Sequence, residues 1–330
     1  MSLSNSSASR IRSSARDERT PVFHEIPLGG TRVRVAEYRL PAPASASADG
    51  VSEWPAEDSP VFAAVHGFRG DHHGFEQIAF AAGGTWLVPD LPGFGMTGPF
   101  RDGTAHSAQG LSGIVEPLAR FAAAEHPGRP VVLVGHSFGS VVVSRAAQAV
   151  SRLHEEGVLA GAVLVNPISV PALTGTPRIA TAASELYYLL ATRLPAPLGL
   201  PLVRSRLITD AMSLMMRTSS EPAVRRYIDE QHRAYFAGFS DRQALAEAYA
   251  SSIEDSVLEA AGGLRLPVLL VTGERDAFGT PATQRALASA LPEARLEEIP
   301  GVGHLVHYEE ADAAARAVLA FAADLAEARA

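Results

Sequence analysis

Three residues far apart in the chain have the types needed for acyl chemistry. Ser137 stands in Gly135-His136-Ser137-Phe138-Gly139. A serine hydroxyl is a weak nucleophile at neutral pH and needs a base to take its proton as it attacks. Histidine has a suitable pKa, and an imidazole used this way needs a carboxylate to fix its tautomer and stabilise its charged form. Both lie downstream: Asp276 in Gly273-Glu274-Arg275-Asp276, and His304 in Pro300-Gly301-Val302-Gly303-His304. Each of the three follows a predicted strand. Glu274 is a rival acid and His307 a rival base, although the Gly-x-Gly turn points to His304. His136 reads as a packing residue.

Around Ser137 the sequence prescribes a sharp elbow. Val131-Val132-Leu133-Val134, rich in β-branched residues, reads as a short buried strand. Ser140 to Ala147 reads as a helix. A strand that becomes a helix within a few residues leaves little room for Cβ atoms, and the glycines two before and two after the serine remove them. A second strand, Val61 to Val65, runs into His66-Gly67-Phe68-Arg69-Gly70-Asp71-His72-His73. Small residues there let backbone N–H groups point inward, so the turn suits an oxyanion-binding loop with Phe68 as donor. The expectation for His72 and His73 is solvated loop histidines, and for Arg69 a surface or structural ion pair in preference to contact with an anionic substrate group.

The remaining elements alternate between strand and helix. Pro21 to Leu40 reads as a β-hairpin around Gly29-Gly30, with Thr31 to Tyr38 a half-buried edge strand. Pro41 to Pro60 reads as a solvated loop. Thr85 to Asp90 is a strand, and the Gly93-Phe94-Gly95 loop after it lacks the context of a dinucleotide fingerprint, so its glycines are expected to pack beside the elbow. Leu111 to Glu125 is a helix. Strands follow at Gly161 to Val165, Pro267 to Thr272 and Ala294 to Ile299, with helices at Pro281 to Ala290 and from Ala311 onward. Between Asn166 and about Ala261 the composition turns helical, over Ala183 to Arg193, Leu207 to Met216 and Glu221 to Phe236, broken by Pro195, Pro197, Pro201 and Pro222. The expected organisation is a disordered tail over 1–20, a core over 21–166 and 263–330, and an inserted helical cap over 167–262. Tyr187, Tyr188, Leu189, Leu190, Leu200, Met212, Met215, Met216, Tyr235 and Phe236 of that cap could line a pocket, with Tyr187, Leu190, Met212 and Met216 the leading candidates and clustered Met suiting an adaptable apolar site.

Bulk composition excludes several classes. With 330 residues and 47% hydrophobic content, the chain can bury one large core. A net charge of −8 and the absence of a basic run give nucleic-acid binding no electrostatic support. No polybasic amphipathic stretch favours an anionic membrane. There are no cysteines, so thiolate nucleophiles, disulfides and cysteine metal sites are excluded. No apolar run is long enough to span a bilayer, and the first 20 residues lack a secretory apolar segment. A cytoplasmic location is the default expectation.

Taken together, His66-Gly67-Phe68, Asp90-Leu91-Pro92-Gly93-Phe94-Gly95, Gly135-His136-Ser137-Phe138-Gly139, Gly273-Glu274-Arg275-Asp276 and Gly303-His304 with Glu309 resemble the α/β-hydrolase superfamily, in its capped serine-hydrolase branch. The resemblance covers about Val22 to Asn166 and Leu264 to Ala322. It implies an α/β fold: a mostly parallel central sheet of about eight strands flanked by helices, with the cap inserted. It also implies Ser137 as nucleophile, Asp276 as orienting acid, His304 as base, and the N–H groups of Phe68 and Phe138 as the oxyanion hole. Asn166 sits where some relatives carry their acid; an amide cannot stabilise an imidazolium, so it is read as structural. A serine nucleophile argues against haloalkane dehalogenases and epoxide hydrolases. The expected activity is hydrolysis of a carboxylic ester of a small to medium apolar acid, without cofactor or metal. Thioesterases, amidases, C–C bond hydrolases and cofactor-free perhydrolases share the triad, and some members of the fold are ligand receptors. The expected partner is a small-molecule acyl substrate, and the chain is expected to be a monomer or a homodimer formed through the cap's Met and Tyr surface.

Overall fold

In β5 (Val131–His136) every residue is buried, and its side chains alternate between two cores. Val131 and Leu133 join the apolar cluster on one face, and Val132 and Val134 join the cluster on the other. Each fully buried valine of this kind is worth roughly 1.5–3 kcal/mol, so a strand apolar on both faces is driven to the middle of a covered sheet. The computed structural model describes residues 20–41, 59–171, 188 and 193–328. The expected tail over 1–20, the loop over 41–60 and the helix over 183–193 lie largely outside these residues, as do Tyr187 and Leu190.

The sheet has eight strands in the order β1-β2-β4-β3-β5-β6-β7-β8. Their ranges are β1 (Val22–Leu28), β2 (Thr31–Leu40), β3 (Val61–Val65), β4 (Gly84–Pro89), β6 (Leu159–Val165), β7 (Val268–Gly273) and β8 (Ala294–Ile299). β1 and β2 form the expected hairpin, antiparallel to each other, and β2 is antiparallel to β4; all later pairs are parallel. β2 is therefore not the edge strand that its alternation suggests. Its partner β1 holds the edge, and Tyr38 and Ala36 of β2 are fully buried beneath α1 (Glu76–Ala82).

Helices cover both faces. On the β5 Leu133 side lie α2 (Ala108–Leu111), α3 (Val115–Glu125), α4 (Phe138–Arg145) and α5 (Ala147–Glu155). Between β6 and β7 the described residues form α6 (Ala196–Val203), α7 (Arg206–Met216), α8 (Pro222–Tyr235) and α9 (Arg242–Glu254), with no named strand among them. Pro201 does not end a helix as expected. It lies inside α6, where its missing N–H removes only one bond from a short helix. α9 is absent from the sequence expectation, although Asp241 marks its start by accepting the N–H of Ala244. After β7 come α10 (Pro281–Ala290), α11 (Val306–Glu309) and α12 (Ala311–Glu327), the last packed on α1 and on the Val132 face of the sheet.

The Gly93-Phe94-Gly95 loop departs from expectation. It docks on the helical insertion rather than beside the elbow: Phe94 bridges Phe239, the Gly95 N–H bonds to the Gly238 carbonyl at 2.5 Å, and the Ser240 N–H to that of Gly93 at 2.8 Å. A methyl group at Gly93 would lie 2.7 Å from the Cβ of Ala244 on α9.

Candidate active site

The strand-to-helix turn between β5 and α4 carries Ser137 at φ 52°, ψ −120°, outside the ordinary range for a residue with a side chain. Backbone strain of this kind costs on the order of 1–3 kcal/mol and must be held by its surroundings. Two glycines make the hold possible. A Cβ on Gly135 would fall 2.9 Å from the Gly139 carbonyl oxygen, and one on Gly139 would fall 2.0 Å from the Val65 carbonyl oxygen. The elbow thus lies directly against the end of β3, and the Ser137 N–H bonds to the Val165 carbonyl of β6 at 3.0 Å.

The loops after β7 and β8 bring Asp276 and His304 to this point. Ser137 Oγ lies 2.8 Å from His304 Nε2, and His304 Nδ1 lies 2.9 Å from Asp276 Oδ2. The side chain of Asp276 is fully enclosed. Its Oδ1 accepts the Phe278 N–H at 2.8 Å and its Oδ2 accepts the Asn166 amide at 2.7 Å. Burial alone would push the Asp276 pKa up, but His304, the Asn166 amide and the Phe278 N–H hold it below the usual carboxylate range. An ionised Asp276 accepts from His304 Nδ1–H, which leaves the Nε2 lone pair free for the serine proton.

The rivals for these roles are placed elsewhere. Glu274 is exposed and accepts the Gly301 N–H at 2.8 Å, bracing the loop before His304. His307 does not pair with Ser137. It is buried, its ring 4.0 Å from that of His136, and burial and the neighbouring imidazoles push its pKa well below the usual value. His136 packs as expected and is pushed down to about 3 by burial, then by the charge of His304. Asn166, at φ 43°, does more than fill space, since its amide holds both Asp276 and the Gly303 carbonyl (3.2 Å).

Phe138 opens α4, so its N–H follows directly on the serine. Phe68 lies in the loop after β3, where a methyl group on the preceding Gly67 would sit 3.2 Å from the Ser137 Cβ. His66 secures this loop. It is buried, which lowers its pKa, its Nδ1–H donates to the Gly67 carbonyl at 2.8 Å, and its Nε2 accepts the Leu91 N–H at 3.0 Å.

Three polar residues of the same segment contradict expectation. Arg69 is neither on the surface nor ion-paired. It is 2% exposed and bonds to the Val203 and Phe236 carbonyls and to Met212 Sδ, with no carboxylate partner among the described residues. His72 is buried and bonds to Asp90 at 2.7 Å, and His73 bonds to Asp71 at 2.9 Å and stacks on Tyr235. Burial would lower the His72 pKa, but Asp90 raises it above the ordinary value. Asp90 comes from the loop after β4 and Tyr235 from α8, which a reading of the local sequence does not reveal, whereas Asp71 is a neighbour in the same segment. Asp71, His72 and His73 are also the residues whose ligand-capable atoms fall within 4.8 Å of one another. In this cluster His72 Nδ1 is hydrogen-bonded to Asp90 and His73 Nδ1 to Asp71, and the two rings lie 4.0 Å apart.

Of the candidate pocket residues, Met216 packs with Val224, Ile228, Leu305 and Tyr308, and Met212 touches the Arg69 guanidinium. Tyr188 of the cap joins a set of aromatic groups beside the site. Phe68 meets Tyr188 and Tyr249, which stack on each other at 3.6 Å, and Phe278 meets the His304 ring at 4.8 Å. Tyr249 escapes the sequence reading together with the helix that carries it. Glu309 ties the insertion to the base loop by accepting the Thr218 and Ser219 N–H groups at 2.6 and 2.8 Å, while Thr218 Oγ1 accepts the Gly303 N–H at 2.7 Å.

Among known proteins, a family model described as the alpha/beta hydrolase family matches residues 61–317. A stretch of the polyketide synthase ThaQ of Burkholderia thailandensis is 30% identical over 258 residues, which is 70% of this chain; the chain spans only 11% of that protein. Among solved structures, a thermophilic esterase from Thermogutta terrifontis superposes with a TM-score of 0.65 at 19% identity, covering 92% of this chain and 99% of that one. A putative aryl esterase from Burkholderia cenocepacia superposes with a TM-score of 0.62 at 18% identity, covering 93% of this chain and 100% of that one.

Proposed function

The chain belongs to the alpha/beta hydrolase family, and we propose that it is a serine hydrolase acting on carboxylic esters of small to medium apolar acids. The observation that carries this reading is the unbroken relay from Ser137 Oγ through His304 to Asp276, with links of 2.8 and 2.9 Å. In the proposed cycle Ser137 Oγ attacks the substrate carbonyl carbon as His304 Nε2 takes its proton. The N–H groups of Phe68 and Phe138 receive the negative charge on the carbonyl oxygen. His304 then returns the proton to the leaving alcohol, and the acyl group stays on Ser137. A water molecule, losing its proton to His304, attacks the acyl-enzyme, and His304 returns that proton to Ser137 Oγ as the Oγ–acyl bond breaks and the acid leaves.

Asp276 acts throughout by holding the productive tautomer and stabilising the imidazolium. Two oxyanion donors are worth about 10²–10³ in rate each, so both peptides are part of the machinery. The helical insertion is read as a cap, and the aromatic side chains of Phe68, Tyr188, Tyr249 and Phe278 favour an apolar acyl group. The esterase neighbours support ester substrates. The match to part of a polyketide synthase favours an acyl thioester as the second substrate class, handled by the same residues.

The test is a panel of p-nitrophenyl esters, acyl thioesters and amides against wild type and Ser137→Ala, with fluorophosphonate labelling read by mass spectrometry. Wild type turns over esters and carries the adduct on Ser137, and Ser137→Ala does neither. Turnover retained in Ser137→Ala, or folded wild type that takes no adduct, overturns the reading; the second result points to a ligand-binding role for the fold.

A further inference from the structure

Gly67 to Gly70 form a β-turn closed by the Gly70 N–H on the Gly67 carbonyl at 3.1 Å. The same carbonyl accepts from His66 Nδ1. The Gly67 C=O and the Phe68 N–H belong to one planar peptide, so fixing the oxygen fixes where the N–H points. The third residue of the turn is Arg69, at φ 60°. A turn with positive φ at that position ordinarily uses glycine or asparagine, because an L side chain there is strained. Among the described residues only Arg69, Ser137 and Asn166 combine a side chain with positive φ. The latter two hold the elbow and the acid.

The Arg69 side chain supplies what holds the strained backbone. Nη2 donates to the Val203 carbonyl at 2.6 Å and Nε to the Phe236 carbonyl at 3.1 Å, with Met212 Sδ 3.7 Å from Nη1. Val203 ends α6 and Phe236 is the C-cap of α8, where helical carbonyls lack intrahelical partners. Each helix C-terminus is equivalent to about half a negative charge. Two of them offset one guanidinium, which explains a buried cation without a carboxylate. The residue is thus spent on two helix ends of the insertion and on its own turn.

We propose that Arg69 is a positioning residue for the oxyanion-binding peptide: anchored to the seated cap, it holds the turn that aims the Phe68 N–H. This rests on the reading of Phe68 as an oxyanion donor. The cap then does more than enclose substrate, since the donor is set only while α6 and α8 are in place.

The experiment compares Arg69→Ala with Arg69→Gly. Alanine loses the anchor and keeps the strain, so its turn relaxes away from φ 60°. Glycine loses the anchor but adopts that φ freely. With p-nitrophenyl acetate, an uncharged substrate, Arg69→Ala loses about 10²-fold in kcat at nearly constant KM, the expected scale for one oxyanion donor. Its phosphonylation by the fluorophosphonate probe slows in proportion, and Arg69→Gly recovers most of both. Rates are taken per folded molecule, with near-ultraviolet circular dichroism reporting the native fraction, so a variant that is merely less stable shows an unchanged rate and overturns the proposal. Equal loss in the two variants overturns it too, since a role of the charge is indifferent to the backbone. Wild type that neither hydrolyses the ester nor takes the probe defeats the hydrolase reading itself, whereas a reactive wild type matched by Arg69→Ala defeats only the role of Arg69.

Discussion

Replacing Asp276 by asparagine tests the relay most directly, because the structure leaves an amide no well-paired placement that keeps His304 in its productive tautomer. Three N–H donors converge on the carboxylate: His304 Nδ1 at 2.9 Å and the Asn166 amide at 2.7 Å on Oδ2, and the Phe278 N–H at 2.8 Å on Oδ1. A carboxylate accepts all three, while an amide has one accepting face. If the introduced amide turns its NH2 toward Phe278, two donors oppose each other in a buried site, at roughly 1–3 kcal/mol for the unmade bond. If the NH2 faces the other way, Asn166 can rotate and offer Oδ1, which is buried and unpartnered among the described residues. His304 is then satisfied by accepting at Nδ1, and its proton moves to Nε2, where the serine proton has to go. The arrangement that pairs the most groups is therefore the unproductive tautomer. An error of this kind lowers kcat about 10⁴-fold, or between 5 and 6 kcal/mol in the barrier at roughly 1.36 kcal/mol per tenfold. The assay is kcat and KM on p-nitrophenyl acetate for wild type, Asp276→Asn and Glu274→Gln. Glu274→Gln stays within about two-fold, since exposed Glu274 only braces Gly301. An Asp276→Asn enzyme within tenfold of wild type refutes the assignment of the acid and the tautomer argument with it.

Two further outcomes follow from packing and protonation. Gly139→Ala places a Cβ 2.0 Å from the Val65 carbonyl and 2.7 Å from that of His66, both backbone atoms. It destabilises by about 3 kcal/mol or more in urea unfolding and lowers activity per folded molecule by displacing the loop before Phe68; unfolding and turnover like wild type would show that the elbow has slack. Burial holds His136 near 3 and His232 near 4, against an ordinary value of 6.5. The unfolded chain therefore binds more protons than the native one between those values, and stability falls as pH drops below about 6.5. At pH 5 each of the two removes about 2 kcal/mol, with His307 acting in the same direction. Asp276 and Asp90, held below the usual carboxylate range, add to the loss only as pH falls through about 4 and below. Urea midpoints measured from pH 7.5 to 5 should decline steadily, and a flat profile contradicts the assignment of buried neutral imidazoles.

What the sequence discloses depends on how local each cause is. The run Val131 to Val134 and its flanking glycines meet one another within ten residues, so strand, elbow and helix can be read together. The strands carrying Asp276 and His304 are legible for the same reason. Arg69 defeats such a reading because its partners are main-chain carbonyls at 203 and 236, and a carbonyl leaves no trace in residue identity. His72 reads as solvated because Asp90, 18 positions on, reaches it only once β4 lies beside β3. The edge position expected of β2 fails because alternation reports burial and not which strand lies outside it. Gly93 and Gly95 do permit close approach, yet what approaches is the backbone at 238–240, a segment with no pattern of its own.

The imidazoles around His304 bear on the role of base proposed for it. His136 lies 5.7 Å from it, and His307 lies 4.0 Å from His136. A positive charge on either would oppose the charge that His304 takes up from Ser137 in the proposed cycle. Burial keeps both neutral at pH 7, so they fill space beside the base without resisting its protonation. The negative charge bonded to His304 is Asp276, kept ionised by its donors. Selective burial thus does for the electrostatics what the glycines do for the turn. It removes what would interfere, and leaves one carboxylate, one imidazole and one hydroxyl in line.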